Sequence, residues 1–340
     1  MCPQLKSIFF FYIVVFLTNL ETVDVPECGS LQAIVGEEGE GSNKVVLHKL
    51  CSLTLHNLPS FVSFYNNADM PLERQFMEKQ ARITDDTRII PVEDEQSTTT
   101  SFSLFDENVK IPKLESLKLF SIKIHRIWSD QLSNDCFQNL IKLTLEDCNL
   151  TYLCSLTVAR SLCKLKSIFI SECSLMEKLF ITEGNNNKYS KDCIFPKLEE
   201  IQLSRMEMLK EIWPHEDEVR ADSFSSLISV DISQCNKIDK IFPRYMKCCY
   251  LSLKSLKVYS CVRVEFIFES RCPPQQSDAK FASPLEVIDL HNLPYLKYVW
   301  SEDPKGVVNF TNLQSIEISE CNTLSNVLPS SIAKDLENLE

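Results

Sequence analysis

The sequence predicts an α/β solenoid, in which short units stack side by side and each unit adds one strand to a parallel β-sheet. One apolar pattern recurs along the 340 residues: a leucine, then apolar residues 3, 5, 8, 11 and 14 positions later. The second and third slots lie two residues apart, which is the period of a strand. The later slots lie three apart, which suits turns and 3₁₀ or short helical segments. Because no single unit can bury its own apolar side chains, the units are expected to fold only as a stack.

Ten copies of this pattern can be aligned on their first leucine. They begin at Leu20, Leu50, Leu114, Leu140, Leu165, Leu198, Leu227, Leu253, Leu285 and Leu313. Most copies are spaced in or near the range of roughly 20 to 29 residues that is typical of leucine-rich repeats. The pattern therefore predicts a leucine-rich-repeat solenoid, or horseshoe. Its parallel sheet is expected on the concave face, with irregular, 3₁₀ or short helical segments on the convex face.

The domain organisation follows from the same copies. Residues 1–340 are expected to form a single array of about ten repeats, so a domain count based on chain length does not apply. Cys2, Leu5 and Ile8 fill the last three slots of a copy without a beginning, and residues 328–339 begin a copy that stops. We therefore expect an array truncated in mid-repeat at both ends. The stretch 66–110 contains EDEQSTTTS and little periodicity, which predicts an acidic mobile loop between two repeats.

The slot eight residues after the first leucine divides the copies into two kinds. Six copies have cysteine there: Cys28, Cys148, Cys173, Cys235, Cys261 and Cys321. In three of the other four copies, a tryptophan directly follows the last slot: Trp128, Trp213 and Trp300. A small thiol at this slot is expected to be buried and to donate weakly to backbone carbonyls, and the tryptophans are expected to pack in the core.

Strand side chains that point away from the core predict where a partner binds. In each copy these residues flank the second and third slots, and repeat proteins commonly use this concave face for recognition. The candidate partner-binding residues are His56, Lys118, Phe120, Glu146, Phe169, Gln202, Asp231, Lys257, Tyr259, Asp289, His291 and Glu317. The set mixes both charge signs with aromatic rings, which is a composition typical of protein partners.

Charge and composition exclude several other functions. A net charge of −12 repels polyphosphates, so neither nucleic acid nor an anionic membrane surface is expected as a partner. The six glycines cannot form either Gly-rich phosphate-binding motif. The five histidines form no HExxH motif and no evident pair with a nucleophile, and the cysteines form no CxxC pair. We therefore expect no enzyme activity, no cofactor and no bound metal.

The N-terminal apolar run has two interpretations. Residues 8–17 follow Lys6 and resemble the apolar core of a signal peptide, but no A-x-A cleavage site follows them. Ten residues are too few to span a bilayer as a helix, which needs about 20. Since the repeat pattern continues through this run, we expect residues 1–20 to belong to the array and not to a cleaved signal.

Several segments resemble a known family. FPKLEEIQLSRMEMLKEIW, IPKLESLKLF, LHNLPYLKYVW, CGSLQAIVGEE and SLISVDISQCNKIDKIFP are similar to the C-terminal leucine-rich repeats of plant coiled-coil, nucleotide-binding disease-resistance proteins. The resemblance covers nearly the whole chain and lies in the alternation of FPKL…IW and LxxLxIxxC…LFP modules. The chain has none of the upstream parts of these receptors: no P-loop, no coiled coil and no NB-ARC region.

The resemblance implies a non-enzymatic, cytoplasmic or nucleo-cytoplasmic recognition module of an intracellular immune receptor. Its expected partners are a pathogen effector, a guarded host protein or the NB-ARC module that it holds inactive. Two alternatives remain open at this point. One is the substrate-recruiting array of an F-box ubiquitin ligase, whose repeats also use Cys at this slot. The other is a secreted leucine-rich-repeat receptor ectodomain, although no copy carries the NxLxGxIP-type consensus.

Overall fold

The structure, a computed structural model, describes residues 2, 4–36, 44–66, 103–129, 137–182, 193–220, 222–246, 251–269, 281–302 and 308–328. Within these ranges the regular elements are mostly short strands. The strands are β1 (Ser7–Phe10), β2 (Thr22–Pro26), β3 (Ala33–Gly36), β4 (Val45–Val46), β5 (Ser52–Leu58), β6 (Ser63–Asn66), β7 (Ser103–Phe105), β8 (Val109–Lys110), β9 (Ser116–Ile122), β10 (Arg126–Trp128), β11 (Lys142–Glu146), β12 (Tyr152–Ser155), β13 (Ser167–Ser171), β14 (Lys178–Ile181), β15 (Glu200–Ser204), β16 (Ser229–Ser233), β17 (Lys240–Phe242), β18 (Ser255–Tyr259), β19 (Phe266–Phe268), β20 (Phe281–Ala282), β21 (Val287–His291), β22 (Tyr298–Trp300), β23 (Val308–Asn309) and β24 (Ser315–Ser319). The helices are α1 (Phe11–Val14) and α2 (Leu156–Ser161).

Ten of these strands form one parallel main sheet, with one strand from each predicted copy. Its spatial order is the order of the chain: β2, β5, β9, β11, β13, β15, β16, β18, β21 and β24. Equivalent slots face one another, so that Leu143 pairs with Ile168 and Leu145 pairs with Ile170. The same register holds at every junction of the sheet. The predicted leucine-rich-repeat solenoid with a parallel sheet is therefore confirmed.

The inward slots of the main sheet form the core. In the central repeats both strand slots are fully buried, as at Leu203 and Ile232, which are 0% exposed. Exposure rises toward the last strand, where Ile316 and Ile318 are only partly buried. Each neighbouring repeat removes apolar surface from water, at roughly 25 cal/mol per Å². The array is thus held together by contacts between repeats, as the spacing predicts.

At or next to the end of each main-sheet strand, one residue has a left-handed backbone. Ten such residues, one per copy, have φ between 40° and 56°: Glu27, Asn57, Ser121, Asp147, Glu172, Arg205, Gln234, Ser260, Asn292 and Glu320. Seven of them donate their N–H group to the neighbouring strand beyond the regular pairing; for example, Gln234 donates to the Tyr259 carbonyl at 2.9 Å. Glycine usually takes this conformation, because a Cβ makes it cost roughly 1–2 kcal/mol. Here non-glycine residues adopt it, and the turn directs the next slot into the core.

The opposite side of the solenoid differs in part from the prediction. Short parallel strands, and not helical segments, follow most turns. They form three-stranded sheets, β1–β3–β6 and β17–β19–β22, and two-stranded sheets such as β12–β14. The last apolar slot and the residue after it are often a β-branched and aromatic pair, as in Ile241–Phe242 and Val299–Trp300. Such pairs favour an extended backbone, and both helices in the described ranges are short.

Aromatic side chains stack along this second side. Trp213 lies edge-on to Phe224, with ring centroids 5.0 Å apart, and stacks on Phe242 at 5.8 Å. The row continues from Phe242 to Phe268 at 5.1 Å and on to Trp300 at 5.4 Å. Trp128, Trp213 and Trp300 are 3%, 8% and 4% exposed. The predicted packing role of the tryptophans is confirmed.

The predicted loop at residues 66–110 ends earlier than expected. Strands β7 and β8 occupy residues 103–105 and 109–110, and their Leu104, Phe105 and Val109 side chains are buried. β7 pairs with β10, and β8 pairs with β4 from the preceding repeat. These short segments show no period of their own and gain their structure from neighbouring repeats. Residues 67–102 lie outside the described part of the chain, where the acidic loop stays a prediction.

The N-terminal apolar run begins inside the array. Strand β1 pairs in parallel with β3, so that Ser7 faces Ala33 and Phe9 faces Val35. This register supports the repeat interpretation of the first residues of the run. The residues that follow are less covered: Val15 is 61% exposed and Phe16 is 78% exposed.

Candidate functional site

The outward face of the main sheet brings all twelve sequence-predicted site residues onto one surface. Seven lie between the two inward slots of their strands: Lys118, Phe169, Gln202, Asp231, Lys257, Asp289 and Glu317. Five lie two residues further on, near the strand end: His56, Phe120, Glu146, Tyr259 and His291. Strand pairing therefore aligns them in two rows that cross the sheet. The placement on one face agrees with the prediction.

The first half of this face carries stacked aromatic and cationic groups. The His56 imidazole lies parallel to the Phe120 ring, with centroids 4.3 Å apart and an interplanar angle of 3°. Lys142 Nζ lies 4.7 Å from the centroid of the Phe169 ring, within cation–π range. Lys142 was absent from the sequence prediction because it stands at the start of its strand, one position before the first inward slot. Its contact with Phe169 depends on the pairing of β11 with β13.

The second half carries a polar cluster around Tyr259. The Tyr259 hydroxyl donates to Asp289 Oδ2 on the next strand. His291 Nδ1 and Ser319 Oγ are hydrogen-bonded between the last two strands, and the Tyr259 and His291 rings meet edge-on at 6.4 Å. Ser319 is a further residue that sequence reasoning missed. Serines recur at this strand-end position in four of the ten strands, so composition alone could not distinguish it.

Formal charge is unevenly distributed over the face. The strands from β2 to β13 balance Asp24 and Glu146 against Lys118 and Lys142. The strands from β15 to β24 carry four carboxylates, on Glu200, Asp231, Asp289 and Glu317, against the single lysine Lys257. This half of the face therefore has an excess of negative charge. A partner with exposed Lys or Arg side chains is the electrostatic complement of such a surface.

Two groups in the second half have shifted pKa values. Partial burial raises the pKa of the Asp231 carboxyl, and the nearby Asp289 and Glu200 carboxylates add to the rise, while Lys257 opposes it. Burial also raises the pKa of Tyr259, together with its hydrogen bond to Asp289. Both shifts have the same origin: charge is removed from water on a surface that already carries carboxylates.

Asp231→Asn is expected to stabilise the folded array at neutral pH. The folded-state pKa of Asp231 lies above its usual 3.8, so its favourable contribution is present at acid pH and is lost as the pH rises through the raised value. The gain should stay below about 1 kcal/mol, because solvent screens a half-exposed carboxyl. Urea unfolding of both proteins at neutral pH and near pH 3 measures the difference, which should shrink on acidification.

Asp24→Asn is the matched control for this measurement. Asp24 holds the same strand position on the edge strand β2 and is exposed. Its substitution should change stability little at either pH. A stability gain that is equal for both variants, or one that does not depend on pH, would contradict the assignment to Asp231.

The serine–histidine contact is the one pairing on this face that resembles a catalytic group. Sequence reasoning found no histidine paired with a nucleophile, and the structure places Ser319 against His291. An activated serine also needs a group that orients the other imidazole nitrogen, and donors that stabilise an oxyanion. The contact itself joins the strand ends of β21 and β24. We therefore assign this hydrogen bond to the packing of the last two strands.

Several of the remaining charged side chains form ion pairs between neighbouring repeats. On the edge of the sheet, Lys166 pairs with Glu199 at 2.7 Å and Lys254 with Glu286 at 3.1 Å. Such exposed ion pairs contribute little each. In the described part of the chain, no three or more His, Cys, Asp or Glu side chains are grouped as metal ligands. No helix within the described ranges has the length and apolar character that crossing a bilayer requires.

A second concavity lies on the side opposite the main face. It has a volume of about 650 Å³ and is lined by Trp213, Tyr245 and charged residues of both signs. Several of these charges are already paired, Lys240 with Glu269 at 3.0 Å and Arg244 with Glu216 at 3.5 Å. The concavity therefore lacks the excess of one charge that distinguishes the main-sheet face.

The sheet order, the slot cysteines and the strand-end turns define the class of protein: a leucine-rich-repeat array whose variable residues lie on the outward face of a parallel sheet. Comparison with known protein families then identifies the family of repeats. The family of leucine-rich repeats of plant disease resistance proteins similar to RPS2 matches the chain over residues 113–262 and 197–340. Because these regions together cover more than half of the chain, the protein belongs to this family. Searches of curated proteins and of solved structures found no match.

Proposed function

We propose that the chain is the recognition module of a plant intracellular immune receptor, and that it binds a protein partner on the outward face of the main sheet without catalysing a reaction. The observation that carries the proposal is the ordered surface of variable side chains on a family-specific repeat array. The outward residues differ in charge and side-chain type from strand to strand, while the inward slots of the same strands are apolar. Such a surface can vary in sequence at little cost to the fold.

The proposed partner is a pathogen effector, a guarded host protein, or the NB-ARC module of the same receptor. The excess of carboxylates between β15 and β24 favours a partner segment that bears Lys or Arg. The family match favours this receptor over the F-box ligase and secreted-ectodomain alternatives. The proposed site of action is the cytoplasm or the nucleus. The free thiols support this, because disulfide-rich scaffolds are the usual choice of secreted proteins.

Co-precipitation of the expressed array with an NB-ARC fragment, with effectors and with host proteins tests the proposal. We expect one of these classes to bind and to compete with the others if they share the face. Failure of all three classes to bind a folded array would count against the proposed function. The folded state can be checked beforehand by a cooperative unfolding transition.

A charge-neutralised variant locates the binding surface. Asp231→Asn combined with Glu317→Gln is expected to weaken binding of the captured partner by about 10-fold or more, since rim charges steer association and pair with the partner. Titration by calorimetry or surface plasmon resonance at two salt concentrations measures the change. Binding by the variant should also depend less on salt concentration than binding by the unsubstituted array.

The matched control is Asp217→Asn combined with Glu207→Gln. It makes the same chemical change at two exposed positions that lie outside the main-sheet strands. Net charge therefore changes equally in the two proteins. If both double variants bound the partner with the same affinity, whether unchanged or weakened, the partner would not bind at the proposed face.

A further inference from the structure

Four of the slot cysteines form two close pairs between neighbouring repeats. Cys148 and Cys173 follow the adjacent strands β11 and β13 by two residues, and Cys235 and Cys261 follow β16 and β18 in the same way. All four are free thiols. Each is buried, with at most 1% of its surface exposed.

The backbone holds both pairs at the spacing of adjacent strands. The ladder extends into the turn just before the cysteines, where Asp147 donates to the Ser171 carbonyl at 3.0 Å and Gln234 to the Tyr259 carbonyl at 2.9 Å. Neighbouring strands lie about 4.8 Å apart, which is within the range of roughly 4.4–6.8 Å between the Cα atoms of a disulfide. No large backbone movement is therefore needed to join the sulfurs.

The sulfur atoms already contact the partner cysteine. The backbone N–H of Cys235 donates to Cys261 Sγ at 3.4 Å. In both pairs the two side chains are hydrogen-bonded to one another. Each pair thus presents two thiols in contact, enclosed by the apolar core, and among the described residues no third His, Cys, Asp or Glu side chain joins them as a metal-binding group.

The mutual hydrogen bond also differentiates the two sulfurs. It lowers the pKa of Cys148, because Cys173 donates to its sulfur, and it raises the pKa of Cys173 correspondingly. The same relation lowers the pKa of Cys261 and raises that of Cys235. Contact between the two thiols therefore favours the loss of one proton from each pair, while the second proton stays bound.

We propose that Cys148–Cys173 and Cys235–Cys261 are two oxidative modification sites, at which a hydroperoxide converts each thiol pair into a disulfide between neighbouring repeats. The first thiolate attacks the peroxide oxygen and becomes a sulfenic acid, and the peroxide leaves as water or an alcohol. The second thiol attacks the sulfenic sulfur, forms the S–S bond and releases water. Each pair loses two protons and two electrons, which the peroxide takes up as its O–O bond breaks.

The disulfides would add a covalent link between repeats that are otherwise held by packing, hydrogen bonds and ion pairs. In the second pair the bonded residues are 26 positions apart, so the bond encloses one complete repeat. Such a bond restricts the unfolded chain and stabilises the array. The residues two positions before each cysteine, Glu146 and Tyr259 among them, lie on the proposed binding face. Oxidation would therefore stiffen the face directly above the cross-links. This inference rests on the fold and is independent of the proposed partner.

Peptide mapping by mass spectrometry after peroxide treatment tests the inference. The reduced array is exposed to graded hydrogen peroxide under native conditions, free thiols are alkylated, and the peptides are analysed without reduction. We expect two cross-linked species, Cys148–Cys173 and Cys235–Cys261. We also expect a thermal unfolding midpoint that rises after oxidation and returns with dithiothreitol. A peroxide molecule can reach buried thiols during local opening of a repeat.

Two cysteines in the same chain serve as controls. Cys321 occupies the same slot and is more exposed, but its counterpart in the preceding repeat is Leu293. Cys154 is as buried as the pairs but stands alone in strand β12, opposite Phe180. Neither should appear in an intramolecular disulfide.

Single substitutions separate the two sites. Cys148→Ser should abolish the first cross-link and leave the second, and Cys235→Ser should do the reverse. Scrambled pairings, or oxidation of Cys321 and Cys154 while both pairs stay reduced, would overturn the proposal. The peptide map of the unsubstituted protein is measured first. It decides the proposal even if one of the variants does not fold.

Discussion

Leu203→Asp is expected to lower the free energy of unfolding by at least about 4 kcal/mol, because it places a carboxylate without a partner in the centre of the stack. Leu203 fills an inward slot of β15, is 0% exposed, and packs among the equivalent slots Ile170 and Ile232 of the two neighbouring strands. Neither neighbour offers a hydrogen-bond donor. Denaturant unfolding monitored by circular dichroism measures the loss, as a lower midpoint or as a broadened transition if the repeats separate into two cooperative units.

Gln202→Asp is the control on the same strand. Gln202 precedes Leu203 directly and points to the opposite face, where it is exposed. The same carboxylate should cost only about 1 kcal/mol or less there, because it stays in water although it faces the Asp231 carboxylate on β16. The pair of variants therefore tests the two-residue alternation itself. Comparable losses at both positions would contradict the assigned register.

Trp213→Ala is expected to cost about 3–5 kcal/mol, the range for removing a large buried aromatic side chain. Trp213 joins Phe224 and Phe242 in the aromatic row. Its Nε1–H also donates to the Ile241 carbonyl of the next repeat at 2.6 Å. The substitution removes ring contacts on two sides together with this link between repeats. Thermal or urea unfolding of the purified array measures the effect.

A comparison of Trp213→Phe with Trp300→Phe isolates the hydrogen bond. Both substitutions keep an aromatic ring and remove the same volume. Trp300 stacks on Phe268 at 5.4 Å, but its Nε1 has no hydrogen-bond partner among the described residues. Trp213→Phe should therefore be the more destabilising by about 1–3 kcal/mol, because it leaves the Ile241 carbonyl without its donor. If Trp300→Phe proved equally or more destabilising, the hydrogen bond from Trp213 to Ile241 would not contribute measurably to stability.

The predictability of the fold follows from its repetition. One copy, such as the one at Leu313, could be a strand, a turn or part of a helix, but ten copies in the same order leave the stack as the common solution. The second half of each repeat was less predictable. Its slots, three apart, suit a helical turn as well as a short strand. The short sheets form because strands such as β17, β19 and β22 align and their aromatic side chains stack.

The candidate site was predictable as a surface and not as a set of contacts. Period-two alternation is sufficient to place Phe120 or Asp289 on the outward face. It does not reveal that His56 stacks on Phe120, or that Tyr259 donates to Asp289, because these residues lie about 30 or more positions apart in the chain. Such contacts depend on the register of neighbouring strands and on the length of each intervening loop.

The sequence by itself determined the repeat, the parallel sheet, the apolar slots and the face that is free to vary, since each of these follows from the spacing of side chains along one strand. Only the tertiary structure decided the left-handed turns. A local rule would require glycine at those ten positions, yet the residues there include Glu27, Arg205 and Gln234. The hydrogen bonds and burial of the next repeat offset the local strain. The cysteine pairs have the same dependence: a slot pattern can predict a buried thiol, but only the stack brings two of them into contact.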